Sequence, residues 1–134
     1  MTATRTTSDA RPTSGRAGRA AAGVLLLIAL FQLALALGAP WGQAAWGGTH
    51  DGTLPTGLRV GSAVAIVVYL LIAAVATGRL LHGRAARRFL LASSILVALG
   101  VLANAASPSM VEKLIWTPVT LVLTFLLWRA SREA

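Results

Sequence analysis

The residues best suited to chemistry are few, and they lie in the gaps between apolar segments. His50 and Asp51 form the only adjacent pair of imidazole and carboxylate, and Glu112 is the only other acidic residue expected near them. A catalytic triad or a zinc site needs three or more convergent groups, and the chain has no cysteine. We therefore predict no catalytic residue, no metal site and no cofactor, and we do not expect an enzyme.

Apolar segments occupy most of the 134 residues, and only 12% of residues are charged. Residues 20–37, 60–77 and 89–106 are apolar nearly all round, without the polar stripe of a helix in a soluble bundle. Eighteen helical residues measure roughly 27 Å, close to the ~30 Å hydrocarbon core of a bilayer. The alternation of a β-barrel strand is missing. The sequence therefore predicts an all-α, polytopic membrane four-helix bundle.

The fourth segment, residues 114–128, is shorter and contains Pro118. Ser109 and Glu112 have the spacing of a capping box, which moves the predicted start of this helix to residue 110. Because proline removes one backbone hydrogen bond, we expect a bend near Pro118. The predicted spans are residues 20–38, 60–77, 89–106 and 110–128, which form one domain over residues 20–128.

Basic residues are concentrated in alternate gaps between the spans. The successive gaps 1–19, 38–59, 78–88, 107–113 and 129–134 carry net charges of +3, 0, +4, 0 and +1. The positive-inside rule then places both termini and the 78–88 loop in the cytoplasm, an N-in/C-in topology. We expect a multi-pass protein of the cell membrane, with a disordered basic tail over residues 1–19 and a second cytoplasmic tail over residues 129–134.

The net charge of +8 lies beside the spans. Its expected partners are the lipid bilayer and anionic lipid headgroups on the cytoplasmic side, with no nucleic acid. One alternative concerns the first span, where a basic start, an apolar run and the small residues Ala34 and Ala36 are also typical of a cleavable signal peptide.

The loop over residues 38–59 is rich in tryptophan and glycine. Trp41-Gly42 and Trp46-Gly47 form a five-residue near-repeat, followed by turn signals at Asp51-Gly52 and Leu54-Pro55. Tryptophan favours the membrane interface, so one interpretation is a segment anchored at the outer surface. The other is a lid that binds a ligand or a partner, as the length of the loop allows.

The apolar cores of the spans contain no acidic, basic or histidine residue, which argues against an ion-coupled exchanger. Their polar side chains favour interhelical packing or a pocket. Gly61 and Ala65 have the spacing of a helix-packing surface. The polar residues are Gln32, Tyr69, Ser93, Ser94, Asn104, Thr120 and Thr124.

Two motifs on the predicted outer side carry a resemblance. The motif GAPWGQAAWGG over residues 38–48 continues as GTLP at 52–55 and Leu-Arg at 58–59, and EKLIWTP follows at 112–118. Over roughly residues 24–128 the chain resembles an uncharacterised family of small four-helix bacterial integral membrane proteins. The resemblance implies this fold and no particular activity.

Together the two motifs predict an outer-face interaction site. Trp41, Trp46, Trp116 and Pro118 are expected to pack as one aromatic cap. Arg59 is expected to pair with Glu112, and His50 and Asp51 lie in the same region. The leading hypothesis is a membrane component whose loop meets a membrane-protein partner or a second copy. The alternative is a transporter or channel-like carrier of a neutral or apolar solute, with a cavity lined by Gln32, Tyr69, Ser93 and Asn104.

Overall fold

The computed structural model describes residues 15–134, and all regular secondary structure within them is helical. Two short 3₁₀ turns, Gly42–Ala44 and Trp46–Gly48, lie between the first two long helices. All four long helices are long and apolar enough to cross a membrane. This confirms the predicted all-α four-helix fold and marks the chain as a multi-pass membrane protein. The long helices are α1 (Arg16–Leu37), α2 (Thr56–Ala76), α3 (Gly83–Ala105) and α4 (Met110–Glu133).

The helices extend beyond the predicted spans at their arginine-rich ends. Residues 16–19, predicted to be disordered, form the first turn of α1, and residues 129–133 continue α4. Arginine is a good helix former, and its long side chain can leave the hydrocarbon region while its backbone stays helical. The prediction for residues 1–14 falls outside the described residues. α4 continues through Pro118 as one helix, and the bend expected there stays a prediction.

The helices pack in the order α2–α1–α4–α3, while α2 and α3 touch each other only sparsely. We call the end with the 38–55 connection and the 106–109 turn the loop end, and the opposite end the tail end. Buried residues concentrate towards the tail end, where Leu25, Leu90 and Leu127 join one core. α3 has no buried residue after Ser94. The main core therefore lies towards the tail end, and a smaller buried cluster of Leu35, Ala45 and Leu54 lies at the loop end.

Small residues set the closest helix contact. The first turns of α1 carry the buried residues Ala17, Gly18, Ala21 and Ala22, which belong to the same core as Ala76 of α2. A Cβ at Gly18 would overlap the carbonyl oxygen of Ala76. Small residues allow two membrane helices to approach at their backbones. The contact therefore fixes α1 against α2 at the tail end.

Candidate binding site beneath the 38–55 loop

The loop between α1 and α2, residues 38–55, starts from a fixed helix end. Gly38 adopts a left-handed conformation (φ 104°), and its N–H donates to the last turn of α1. Arg59 Nε donates to the carbonyl oxygen of Ala36 at 3.0 Å, where a cation complements the helix C-terminus. The predicted pair of Arg59 with Glu112 is therefore wrong, because the guanidinium binds the end of α1.

Glu112 fastens this loop to the start of α4. Its side chain is only 7% exposed. One carboxylate oxygen accepts the Gly47 N–H at 3.1 Å, and the other accepts the hydroxyl of Ser107. Both carboxylate oxygens are thus used to hold the loop and the 106–109 turn together.

The predicted N-cap of α4 is confirmed. Ser109 Oγ accepts the N–H of Glu112 at 3.3 Å. In a complete capping box the Glu112 side chain would also accept the Ser109 N–H. Here that N–H donates to Ser107 Oγ instead, at 3.2 Å. Ser109 Oγ also donates to the carbonyl oxygen of Gln43. The cap of α4 is therefore also a loop contact.

Two tryptophan N–H groups add further attachments. Trp46 Nε1 donates to Ser62 Oγ of α2 at 3.1 Å, and Trp116 Nε1 of α4 donates to the Ala44 carbonyl oxygen at 2.6 Å. Trp46 itself has a left-handed backbone (φ 53°), which is rare for a bulky residue. Such a conformation persists where surrounding contacts fix it. The loop is therefore bound to α1, α2 and α4, and we call residues 38–55 the lid.

The predicted aromatic cap forms only in part, around a residue that the sequence did not single out. Phe31 of α1 stacks on Trp41 with ring centroids 5.9 Å apart and meets Trp116 edge-on at 4.7 Å. Trp46 lies apart, with its ring over Gly61 of α2. Gly61 was expected to belong to a helix-packing surface. Instead, its lack of a side chain leaves space for the Trp46 ring. Pro118 is exposed.

The substitution Gly48→Ala is expected to loosen the lid. A Cβ there would overlap the Cβ of Ser109, and the backbone is left-handed (φ 63°). Gly52→Ala is the matched control, since Gly52 has a similar backbone (φ 82°) but no atom within 4 Å of the added Cβ. We expect Gly48→Ala to lower the free energy of unfolding in mixed micelles by about 1–3 kcal/mol more than Gly52→Ala. Equal losses would mean that Gly48 and Ser109 are not in contact.

His50 and Asp51 lie on the outside of the lid. Asp51 is exposed and accepts from Gln43 Nε2, while His50 Nδ1 is 3.0 Å from Thr49 Oγ1. Among residues 15–134, no group of three histidine or acidic side chains is placed to hold a metal ion. The hydrogen bonds of His50 and Asp51 thus lie within the lid, and the structure does not bring these two residues to Glu112.

A cavity of about 410 Å³ lies beneath the lid. Ala44, Ala45 and Trp46 cover it at the loop end, and all four helices contribute to its wall. The volume is within the usual range for small-molecule sites, which are mostly apolar with a few polar groups. Ile28, Ile72 and Leu123 line it and also belong to the tail-end core.

Most of the polar residues predicted within the spans face this cavity. Gln32, Tyr69, Asn104 and Thr120 line it, and Asn104 Nδ2 lies 3.4 Å from Thr120 Oγ1. Gln32 Oε1 is buried and has no hydrogen-bond partner in the described part of the chain. The cavity therefore collects polar groups from all four helices.

The remaining predicted polar residues serve the packing of α3 on α4. Ser94 Oγ donates to the carbonyl oxygen of Thr124 at 2.8 Å, and Thr124 Oγ1 donates to the carbonyl oxygen of Thr120 within its own helix. Ser93 is buried but is not part of the cavity wall. Of the four residues predicted to line a cavity, Gln32, Tyr69 and Asn104 do so and Ser93 does not.

The residues missed by sequence reasoning are Phe31, Ser62 and Ser107. Phe31 stands in an unbroken apolar run, and the two serines are ordinary small residues. Comparisons with protein-family models, with curated proteins and with solved structures found no match to this chain.

Proposed function

We propose that this chain is a non-enzymatic protein of the cell membrane that binds a small, largely apolar molecule in the cavity beneath its lid. The observation that carries the proposal is the cavity itself: an apolar wall with a few converging polar groups, among them the unpartnered Gln32 Oε1. An apolar cavity with a few well-placed polar groups is the usual form of a ligand site.

The bilayer is the proposed source of the ligand. The lid closes the loop end, whereas α2 and α3 touch only sparsely and carry exposed apolar side chains such as Val64 and Leu99. A molecule dissolved among lipid chains would reach the cavity between these helices. A second cavity of about 300 Å³ lies at the tail end, and it shares no lining residue with the cavity beneath the lid. The buried leucines Leu25 and Leu127 line neither cavity and belong to the core of the bundle. This arrangement favours binding over conduction through a pore.

Filling the cavity tests this function. Gly100 lines the cavity and, among the described residues, has no atom within 4 Å of an added Cβ, so we expect the side chain of Gly100→Leu to take up part of the cavity. Gly23→Leu is the matched control, because Gly23 also has open space around it but is exposed on α1 and is not part of the wall.

We expect mass spectrometry of extracts from the purified protein to find a small molecule retained by the wild type and by Gly23→Leu. The Gly100→Leu variant should lose that molecule. Equal retention by all three proteins, or retention by none, would contradict the proposed function.

The proposed orientation is N-in/C-in, because ten basic residues lie in the gaps assigned to the inside and two in the others. A reporter that is active only outside the cytoplasm should therefore be active when fused at Thr53 and silent when fused at Ala85. The arginines beside Ala85 would then contact anionic headgroups of the inner leaflet. The reverse reporter pattern would overturn this orientation.

A second candidate function is contact with a partner membrane protein or a second copy of this chain. The observation in its favour is Trp41, which is 50% exposed although it stacks on Phe31. Cross-linking in the native membrane should then yield a defined adduct that Trp41→Ala removes and Trp128→Ala retains, since Trp128 is similarly exposed (43%) near the other end of the bundle. An unchanged adduct in Trp41→Ala would exclude this surface.

A further inference from the structure

We propose that the molecule held beneath the lid is an organic cation, a substituted ammonium with an apolar body. This inference rests on the proposed function and adds the charge of the ligand. It is carried by the juxtaposition of one buried carboxylate and four aromatic side chains around the same cavity.

The carboxylate is that of Glu112, which lines the cavity. Its hydrogen-bond partners among residues 15–134 are all neutral: the Gly47 N–H and the Ser107 hydroxyl bind the carboxylate oxygens. Arg59, the basic residue expected to pair with it, binds the end of α1 instead. A buried charge is costly unless it has a partner of opposite sign. A cationic ligand would provide that partner.

Aromatic rings make up much of the remaining wall. Phe31, Tyr69 and Trp116 line the cavity within the bundle, and Trp46 lines it from the lid. The faces of aromatic rings attract cations, and cages of such rings bind quaternary ammonium groups in other proteins. A neutral apolar ligand needs no carboxylate. The combination of rings with Glu112 therefore favours a cation.

The charge distribution is compatible with this ligand. Within residues 15–134, no lysine, arginine or histidine lines the cavity. The gaps at the loop end are neutral, with Arg59 and Lys113 balanced by Asp51 and Glu112. The excess of arginine lies at the tail end and within residues 1–19. A cation held by Glu112 would thus lie at the loop end of the bundle, opposite the arginine-rich tail end.

A pair of isosteric probes tests the charge. Benzyltrimethylammonium and its neutral isostere neopentylbenzene have nearly the same shape, so their difference in binding reports charge. The full chain is placed in nanodiscs of zwitterionic lipid, with empty discs as the partition blank, and binding is measured by calorimetry. We expect the cation to bind the wild type at least about tenfold more tightly than the isostere.

The Glu112→Gln variant should remove most of that preference. A glutamine can still accept the Gly47 N–H, so the lid stays in place, and this is checked by unchanged indole N–H signals of Trp46 and Trp116. Asp51→Asn is the matched control, because it removes an exposed carboxylate of the same lid and should leave binding unchanged. Tyr69→Leu provides a second variant, which keeps Glu112. It should weaken the binding of the cation several-fold and leave the binding of the neutral isostere unaffected.

Two results would overturn the inference. Equal binding of cation and isostere, unchanged in Glu112→Gln, would show that the ligand charge is not recognised and would leave the proposed function standing. Binding of neither probe would also overturn it, and the retained-molecule assay with Gly100→Leu decides the proposed function separately.

Discussion

Replacing Glu112 with alanine is expected to release the lid and to lower the free energy of unfolding by about 2–4 kcal/mol. The alanine leaves the Gly47 N–H and the Ser107 hydroxyl without their acceptor in a buried position. A buried donor without a partner costs roughly 1–3 kcal/mol. Unfolding in mixed micelles of lipid-like detergent and dodecyl sulfate measures the difference.

Asp51→Ala is the control for this experiment. Asp51 belongs to the same lid and also carries a carboxylate, but it is exposed, and Gln43 is its only side-chain partner among residues 15–134. Substitutions at such surface sites usually change stability by no more than about 0.5 kcal/mol. A loss for Glu112→Ala no larger than that for Asp51→Ala would mean that Glu112 does not fasten the lid.

Replacing Gly18 with alanine is expected to separate α1 from α2 at the tail end. The added methyl group would overlap the Ala76 carbonyl oxygen, which is backbone and cannot move away as a flexible side chain would. Forcing extra volume into a packed contact costs about 1–3 kcal/mol, and occasionally more. We therefore expect the free energy of unfolding to fall by roughly 2 kcal/mol.

Gly23→Ala, in the same helix, isolates the packing effect. Gly23 has no atom within 4 Å of an added Cβ, so only helix propensity changes, and alanine is better by about 1 kcal/mol in a helix interior. The control should be neutral or stabilised. Equal behaviour of the two variants would contradict the close approach of α1 and α2.

The fold was predictable because the bilayer imposes strong local requirements. An apolar run of 18 residues that must satisfy its own backbone has to be a helix, wherever it packs. The start of α4 was predictable for a similar reason, since Ser109 caps the helix through residues three positions away. At the arginine-rich ends the helices extend beyond the predicted spans, because hydropathy marks the apolar core of a helix and not its last residue.

The site depends on contacts between residues far apart in sequence, and these were harder to predict. Glu112 was expected to pair with Arg59, because the two opposite charges were placed at the same interface. Charge alone does not show that the Arg59 guanidinium donates to the Ala36 carbonyl oxygen instead. Phe31 had no distinguishing signal within its apolar helix, although two tryptophans pack on it. The four polar residues of the cavity wall that were singled out, Gln32, Tyr69, Asn104 and Thr120, were recognisable within their apolar spans, but their convergence depends on the relative rotation of four helices.

Hydrogen exchange of the tryptophan indole N–H groups tests most directly whether the lid is fastened over the cavity. The Trp46 and Trp116 indole N–H groups donate to Ser62 and Ala44, whereas the Trp41 indole N–H has no hydrogen bond among the described residues. Trp41 and Trp46 are similarly exposed, at 50% and 43%, so a difference between them reports the hydrogen bond. NMR of the protein in nanodiscs, assigned by single Trp→Phe variants, should find exchange at Trp46 and Trp116 on the order of a hundredfold slower than at Trp41. Exchange at all three at similar rates would contradict a fastened lid.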